Sequence, residues 1–202
     1  AYESLLVSGS AVGLTPVEIL DDHGTRLHRV EVDAGTVVID YAARSDGLAE
    51  PVPVSDVDRV RYLRQSRYCE ADRLGPTADE EFAGLEGVPL LAAVVEWVNQ
   101  RISYVSGSST GTDSALDTLL ARRGVCRDFA HLAIALLRAR GIPARLASVY
   151  APGLYPMEFH AVAEALVDDS WWVVDATKHA PRQSLVRVAT GRDAADTAFL
   201  TS

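Results

Sequence analysis

The chain has 202 residues, 48% of them hydrophobic and 23% charged. That is an ordinary globular mixture at the length of one domain, or one domain with a small appendage, and it excludes collagen-like, low-complexity and largely disordered chains. With 28 acidic residues against 19 basic ones the net charge is −9, which argues against a nucleic-acid-binding surface, and no apolar run approaches the length of a membrane span.

The first fifty residues read as short strands at 5–7, 17–20, 27–32 and 37–41, separated by turn signals at Asp22-His23-Gly24 and Ala34-Gly35. A small antiparallel β module over residues 1–55 is expected. Pro51 and Pro53 exclude a helix and a central strand across 50–58, which reads as the boundary with a larger unit over 56–202. Residues 59–76 give no firm element.

Helical signals follow. Pro89 suits the first turn of a helix over 90–101, in which Leu90, Val94, Trp97, Val98 and Arg101 recur at helical spacing. Small polar residues at 105–111 form a loop. Thr112 or Asp113 caps a helix over 114–122, which Gly124 ends. A third helix, 126–140, carries the stripe Phe129, Ala130, Ala133, Leu136 and Leu137 and stops at Gly141 and Pro143. Strands are expected at 145–150, 159–167, 171–175 and 185–188. A β module, then helices, then strands gives the class α+β.

Cys126 opens the third helix. Unpaired N–H groups and the helix dipole stabilise an anion there, and the thiolate is the reactive form of cysteine. A small buried hydrophobe is the alternative for any free cysteine. A thiolate nucleophile needs a base and an orienting group. Of the five histidines, His23 and His28 fall in the N-terminal module, and His131 is about 140° round the helix from Cys126. His179 falls in a loop. His160 begins a strand that should pack beside the third helix.

Register singles out a partner for His160. If Asp168-Asp169 is a two-residue turn, Val167 faces Ser170 and Asp175 faces Val162. Val162 shares a face with His160, so Asp175 is a diagonal neighbour at roughly 7–8 Å between Cα atoms. A three-residue turn would put Asp175 on the other face.

The ordered segments Gly124-Val125-Cys126-Arg127-Asp128-Phe129-Ala130, Gly141-Ile142-Pro143-Ala144-Arg145, Phe159-His160-Ala161 and Trp171-Trp172-Val173-Val174-Asp175-Ala176-Thr177 resemble the transglutaminase-like superfamily. The nearest likeness is to bacterial members usually described as candidate cysteine proteases. Ile102-Ser103-Tyr104 and Thr112-Asp113-Ser114-Ala115 also fit that pattern. The resemblance covers residues 90–180 well and 1–75 loosely. It implies a papain-like core in which the nucleophile helix packs on an antiparallel sheet carrying the histidine and aspartate. Similar proteins run on past Phe199-Leu200-Thr201-Ser202, so a shortened C-terminal edge is expected.

The combined reading is a Cys126–His160–Asp175 triad for acyl transfer on amide bonds through a thioester, with hydrolysis of a peptide or protein amide as the expected outcome. Transamidation of glutamine, small-molecule acyl transfer and a non-catalytic peptide-binding domain are the alternatives. The Cys126 N–H and the Tyr104 hydroxyl are the candidate oxyanion donors. Trp171 and Trp172 are candidates to line an acyl pocket, and the loop 150–156 to rim the cleft. No cofactor or metal is expected, since Cys69, Cys126 and the histidines lack paired ligand spacing. No nucleic-acid or membrane partner is expected, and oligomeric state is open.

Cys69 is expected to be a non-catalytic thiol; a Cys69–Cys126 disulfide would silence the nucleophile. Met157 is the only methionine, and residues 1–15 hold no charged segment followed by an apolar one. A cytoplasmic location is the expectation, with a processed N-terminus as the open alternative because the sequence holds no initiator Met.

Overall fold

A computed structural model describes residues 2–9, 14–44, 46–47, 50–51, 53–155 and 157–201. The chain divides into two units, Ala1–Pro51 and Val52–Ser202.

In the first unit, β1 (Tyr2–Gly9) pairs antiparallel with β4 (Val37–Arg44), and β2 (Val17–Leu20) with β3 (Arg26–Arg29). The expected single sheet is thus two two-stranded ladders. The third strand stops at Arg29, earlier than expected, because β2 offers no partner beyond the Val17–Arg29 pair. The β2–β3 turn is tied by Asp21, whose Oδ1 accepts the N–H groups of His23 and Thr25, each at 2.8 Å.

The second unit begins with two helices where no element was predicted, α1 (Asp56–Arg61) and α2 (Ala71–Glu81). Ser55 and Asp58 form a capping box at the start of α1, a signal that the neighbouring prolines obscure. Gly75 and Pro76 lie inside α2. Pro76 leaves the carbonyl four residues back without its helical donor, but Asp72 is exposed, so water can serve it. Ala71, Leu74 and Ala78 bury one face of α2 and hold the helix against its poor local propensity.

Next come α3 (Gly87–Arg101), β5 (Ser103–Tyr104), α4 (Ala115–Ala121), β6 (Arg123–Gly124) and α5 (Cys126–Ala139). Ser114 caps α4 and forms a capping box with Asp117. The helix ends at Arg122, which adopts the left-handed conformation (φ 58°). Gly124 therefore does not end α4. Its role is to let the start of α5 pack tightly. A Cβ on Gly124 would lie 2.7 Å from Asp128 Cβ. Asp128 uses that space to accept the Val125 N–H on Oδ2 at 2.8 Å and the Ser109 hydroxyl on Oδ1 at 2.9 Å. Arg127 donates to Ser109 Oγ at 2.6 Å and to the Thr110 carbonyl. The loop before α4 is so fastened to the first turn of α5.

α5 carries the predicted stripe but is buried all round, with every residue from Asp128 to Arg138 buried. Such a helix occupies a core. α2, α3 and α4 pack against it, and so do β7 (Ala144–Tyr150) and β8 (Phe159–Val167). With β9 (Ser170–Val174) and β10 (Val186–Gly191), these strands make an antiparallel sheet of order β10-β7-β8-β9. The β8–β9 turn is the two-residue one. Asp168 and Asp169 both have positive φ, at 49° and 56°, and Val167 pairs with Ser170. Two successive residues at positive φ are what a type I′ hairpin turn requires. Arg138 is buried but satisfied, donating to the Ala144 carbonyl at 2.9 Å, Ser66 Oγ at 3.0 Å and the Arg192 carbonyl at 2.6 Å.

Gly124→Ala should destabilise the second unit by about 1–3 kcal/mol, the usual cost of an overpacked site; an unchanged urea midpoint would contradict the crowding argument. His131 supplies a second expectation. It is fully buried on α5, stacks on Tyr68 and accepts the Ala194 N–H at Nε2, 3.1 Å away. Burial pushes its pKa down to about 3, with Arg127 and Arg138 adding to the effect and Asp193 opposing it. A histidine whose folded pKa is depressed contributes stability above its unfolded value and loses it as pH falls. Between pH 6 and pH 3 the wild type should therefore lose more stability than His131→Gln, by up to about 1.4 kcal/mol per pH unit. Parallel acid titrations of the two unfolding free energies would contradict this.

Candidate active site

Cys126 is the first residue of α5 and is half-buried. Its approach is set by a short parallel ladder, in which Ser103 pairs with Arg123 and Tyr104 with Gly124. The Ser103 N–H bonds the Arg122 carbonyl at 2.9 Å, and the Val105 N–H bonds the Gly124 carbonyl at 3.0 Å. This ladder brings Tyr104 beside Cys126, and the Cys126 backbone amide is directed at the phenolic oxygen. The two candidate oxyanion donors thus lie against each other. Burial and the neighbouring thiol push the Tyr104 pKa up, which keeps the phenol protonated and able to donate. Its ring packs edge-on against His179 with centroids 4.6 Å apart.

His160 is the second residue of β8, and Asp175 follows the last residue of β9. His160 Nε2 lies 3.2 Å from Asp175 Oδ2. The residues are only 3% and 2% exposed, so water screens the pair poorly. Burial opposes charge on the imidazole, but hydrogen bonds to Asp175 and Cys126 outweigh it and its pKa is pushed up to about 9. Burial likewise opposes charge on Asp175; hydrogen bonds from His160 and Thr177 prevail and hold its carboxyl below the usual range. The ring therefore meets the Cys126 thiol on one side and a carboxylate on the other, which is the arrangement an acyl-transferring cysteine uses.

Sequence reasoning named Cys126, His160, Asp175 and Tyr104, and the structure brings all four together. It missed Thr177, whose hydroxyl and N–H bond Asp175 Oδ1 at 2.7 and 3.0 Å. It also missed Asn99 on α3, whose Nδ2 donates to the Ala176 carbonyl at 2.9 Å. A threonine two residues after a strand-end aspartate is a local turn signal and was available; the Asn99 contact spans the chain and was not.

Trp172 stands three residues up β9 from Asp175, about 10 Å along the strand. Its indole N–H bonds the Val167 carbonyl at 3.2 Å. Arg145 lies over the Trp171 ring, 3.8 Å from its centroid. Both cysteines are free, and burial pushes the Cys69 pKa up to about 12, so it stays a thiol. In the 150–156 loop, the Pro152 carbonyl accepts the Ser184 hydroxyl at 2.6 Å; Pro156 lies outside the described residues.

A family model described as the transglutaminase-like superfamily matches residues 86–176, a span containing Tyr104, Cys126, His160 and Asp175. A solved candidate cysteine protease from Cytophaga hutchinsonii is 39% identical with a TM-score of 0.83, covering 98% of this chain and 72% of that one. The periplasmic domain of TgpA from Pseudomonas aeruginosa, bound to ethylmercury, shares the fold at 22% identity, with a TM-score of 0.54 over 88% of this chain and 66% of that one. An uncharacterised Mycobacterium leprae protein is 33% identical over 121 residues, 54% of this chain and 42% of its own length. The chain spans less than half the length of the curated relatives it matches. A central helix packed on an antiparallel sheet, a family match spanning the site and a 39%-identical relative across nearly the whole chain together establish that this chain belongs to the transglutaminase-like superfamily.

Proposed function

We propose that the chain is a cysteine-dependent acyl-transfer enzyme acting on peptide or protein amides, with Cys126, His160 and Asp175 as its catalytic residues. The observation that carries this reading is the buried His160–Asp175 pair, 3.2 Å apart, whose ring also bonds the Cys126 thiol. His160 takes the thiol proton, and the thiolate attacks the amide carbonyl. The oxyanion accepts a hydrogen bond from the Tyr104 hydroxyl and, by displacing the phenolic oxygen from it, one from the Cys126 N–H. Imidazolium then protonates the departing amine, leaving a thioester on Cys126. Asp175 stabilises the imidazolium throughout. Water resolves the thioester and returns the proton through His160. Hydrolysis is favoured over transfer to an amine because water is abundant. The description of the Cytophaga hutchinsonii relative as a candidate cysteine protease agrees with it.

A peptide and glutamine-amide screen tests the reading. A substrate turned over by the wild type should leave a thioester adduct on Cys126, seen by intact mass, and Cys126→Ala should abolish turnover while keeping the wild-type melting temperature. Full turnover by Cys126→Ala would refute the assignment. Added primary amine should leave hydrolysis as the main product.

The raised His160 pKa gives a further expectation, with its sign fixed by linkage. A histidine whose folded pKa lies above its ordinary value of 6.5 contributes stability that is full below that value and is lost as pH rises through about 9. The stability difference between wild type and His160→Asn should be larger at pH 6 than at pH 10. A difference that grows with pH would mean that no charged His160–Asp175 pair forms.

A further inference from the structure

Thr177 has no part in the reaction above, yet its side chain touches two of the three groups in it. It is 4% exposed. Its hydroxyl lies 2.7 Å from Asp175 Oδ1 and 3.4 Å from His160 Nε2, and accepts the His179 N–H at 3.2 Å. Its own N–H reaches Asp175 Oδ1 at 3.0 Å. The backbone beneath it is fixed from α3, where Asn99 Nδ2 donates to the Ala176 and Thr177 carbonyls at 2.9 and 3.4 Å.

Counting protons gives these contacts a direction. An ionised carboxylate only accepts, and a hydroxyl has one proton to give. The shortest contact sends that proton to Asp175 Oδ1. Towards His160 Nε2, Thr177 therefore offers a lone pair, as Asp175 Oδ2 does. Two acceptors at one ring nitrogen require that nitrogen to carry hydrogen. Nδ1 is then the nitrogen left for the Cys126 thiol. The carboxylate is also divided, with Oδ1 held by the two Thr177 donors and Oδ2 turned to the ring.

We propose that Thr177 is a positioning residue that locks the Asp175 carboxylate in one orientation and, as a second acceptor at Nε2, holds His160 in the tautomer that presents Nδ1 to Cys126. This rests on the Cys126–His160–Asp175 reading. Asp175 and Cys126 are the titratable groups with the largest effects on the ring, and Thr177 carries no charge, so a change there reaches the ring through orientation.

The test compares Thr177→Val, which keeps the shape, with Thr177→Ser, which keeps the hydroxyl. Thr177→Val should slow iodoacetamide labelling of Cys126 at pH 7 about tenfold, the effect of losing one charge-assisted hydrogen bond, and should shift the alkaline limb of the labelling profile downward. Thr177→Ser should stay within about twofold of wild type on the same scale. A Thr177→Val profile equal to wild type overturns the proposal, and so does a Thr177→Ser rate as low as that of Thr177→Val. If Thr177→Val does not fold, the wild type decides. Nitrogen-15 shifts of the neutral His160 ring at high pH should show hydrogen on Nε2, and hydrogen on Nδ1 overturns the proposal. His160→Ala separates this test from the one beneath it. Labelling in the wild type that His160→Ala does not slow means the triad reading has failed, whereas a His160-dependent rate indifferent to Thr177→Val removes Thr177 alone.

Discussion

Everything at the site depends on keeping His160 and Asp175 on one face of two adjacent strands. Side chains alternate along a strand, so a slip of one residue would send Asp175 to the far side of the sheet. The register is fixed by the turn Asp168-Asp169, where two aspartates occupy the left-handed region. Aspartate tolerates that conformation better than most residues but at some cost. The ladder from Val167–Ser170 to Ala163–Val174 offsets that cost and holds the register up to the residue before Asp175. Burial raises the stakes, because an ion taken from water must find its partner nearby. Here each partner supplies the other, and Thr177 supplies the rest.

The placement of Cys126 comes from a separate constraint. α5 is the central element, and its start must be both crowded and open. Crowding comes from Gly124, which admits the Asp128 carboxylate against the backbone. Asp128 then answers the exposed N–H of Val125, and the Ser109–Arg127 contacts close the turn around it. Openness is left at Cys126, which like its neighbours Val125 and Arg127 is half-buried, while the helix from Asp128 to Arg138 is buried. Hydrophobic packing of α5 on β7 and β8 brings this point to the start of β8, where His160 stands. Sheet register and helix-start packing are thus set independently and meet at the thiol.

Much of this was legible in the sequence because it is local or periodic. The α5 stripe, its stop at Gly141 and the Asp168-Asp169 turn each follow from a few neighbouring residues, and together they bring Cys126, His160 and Asp175 within reach of one another. What escaped is of two kinds. α2 was unreadable because Gly75 and Pro76 speak against a helix, and only burial of Ala71, Leu74 and Ala78 overrides them. The Asn99 contact to the Ala176 carbonyl and the Tyr104–Gly124 ladder pair were unreadable because they join distant segments with no register rule to link them. Gly124 was read as a helix stop, a common role for glycine, when its actual role is close approach.

The central claim is that Cys126 is an activated thiol held by His160 and Asp175. The pH dependence of its alkylation by iodoacetamide, read by mass spectrometry with the buried Cys69 as internal control, tests that claim most directly. The account predicts rapid labelling of Cys126 well below pH 8, suppressed in His160→Ala, while Cys69 stays unlabelled in the folded protein. Labelling of Cys126 no faster than an ordinary thiol, with a midpoint near ~8.5 and indifferent to His160→Ala, would contradict it.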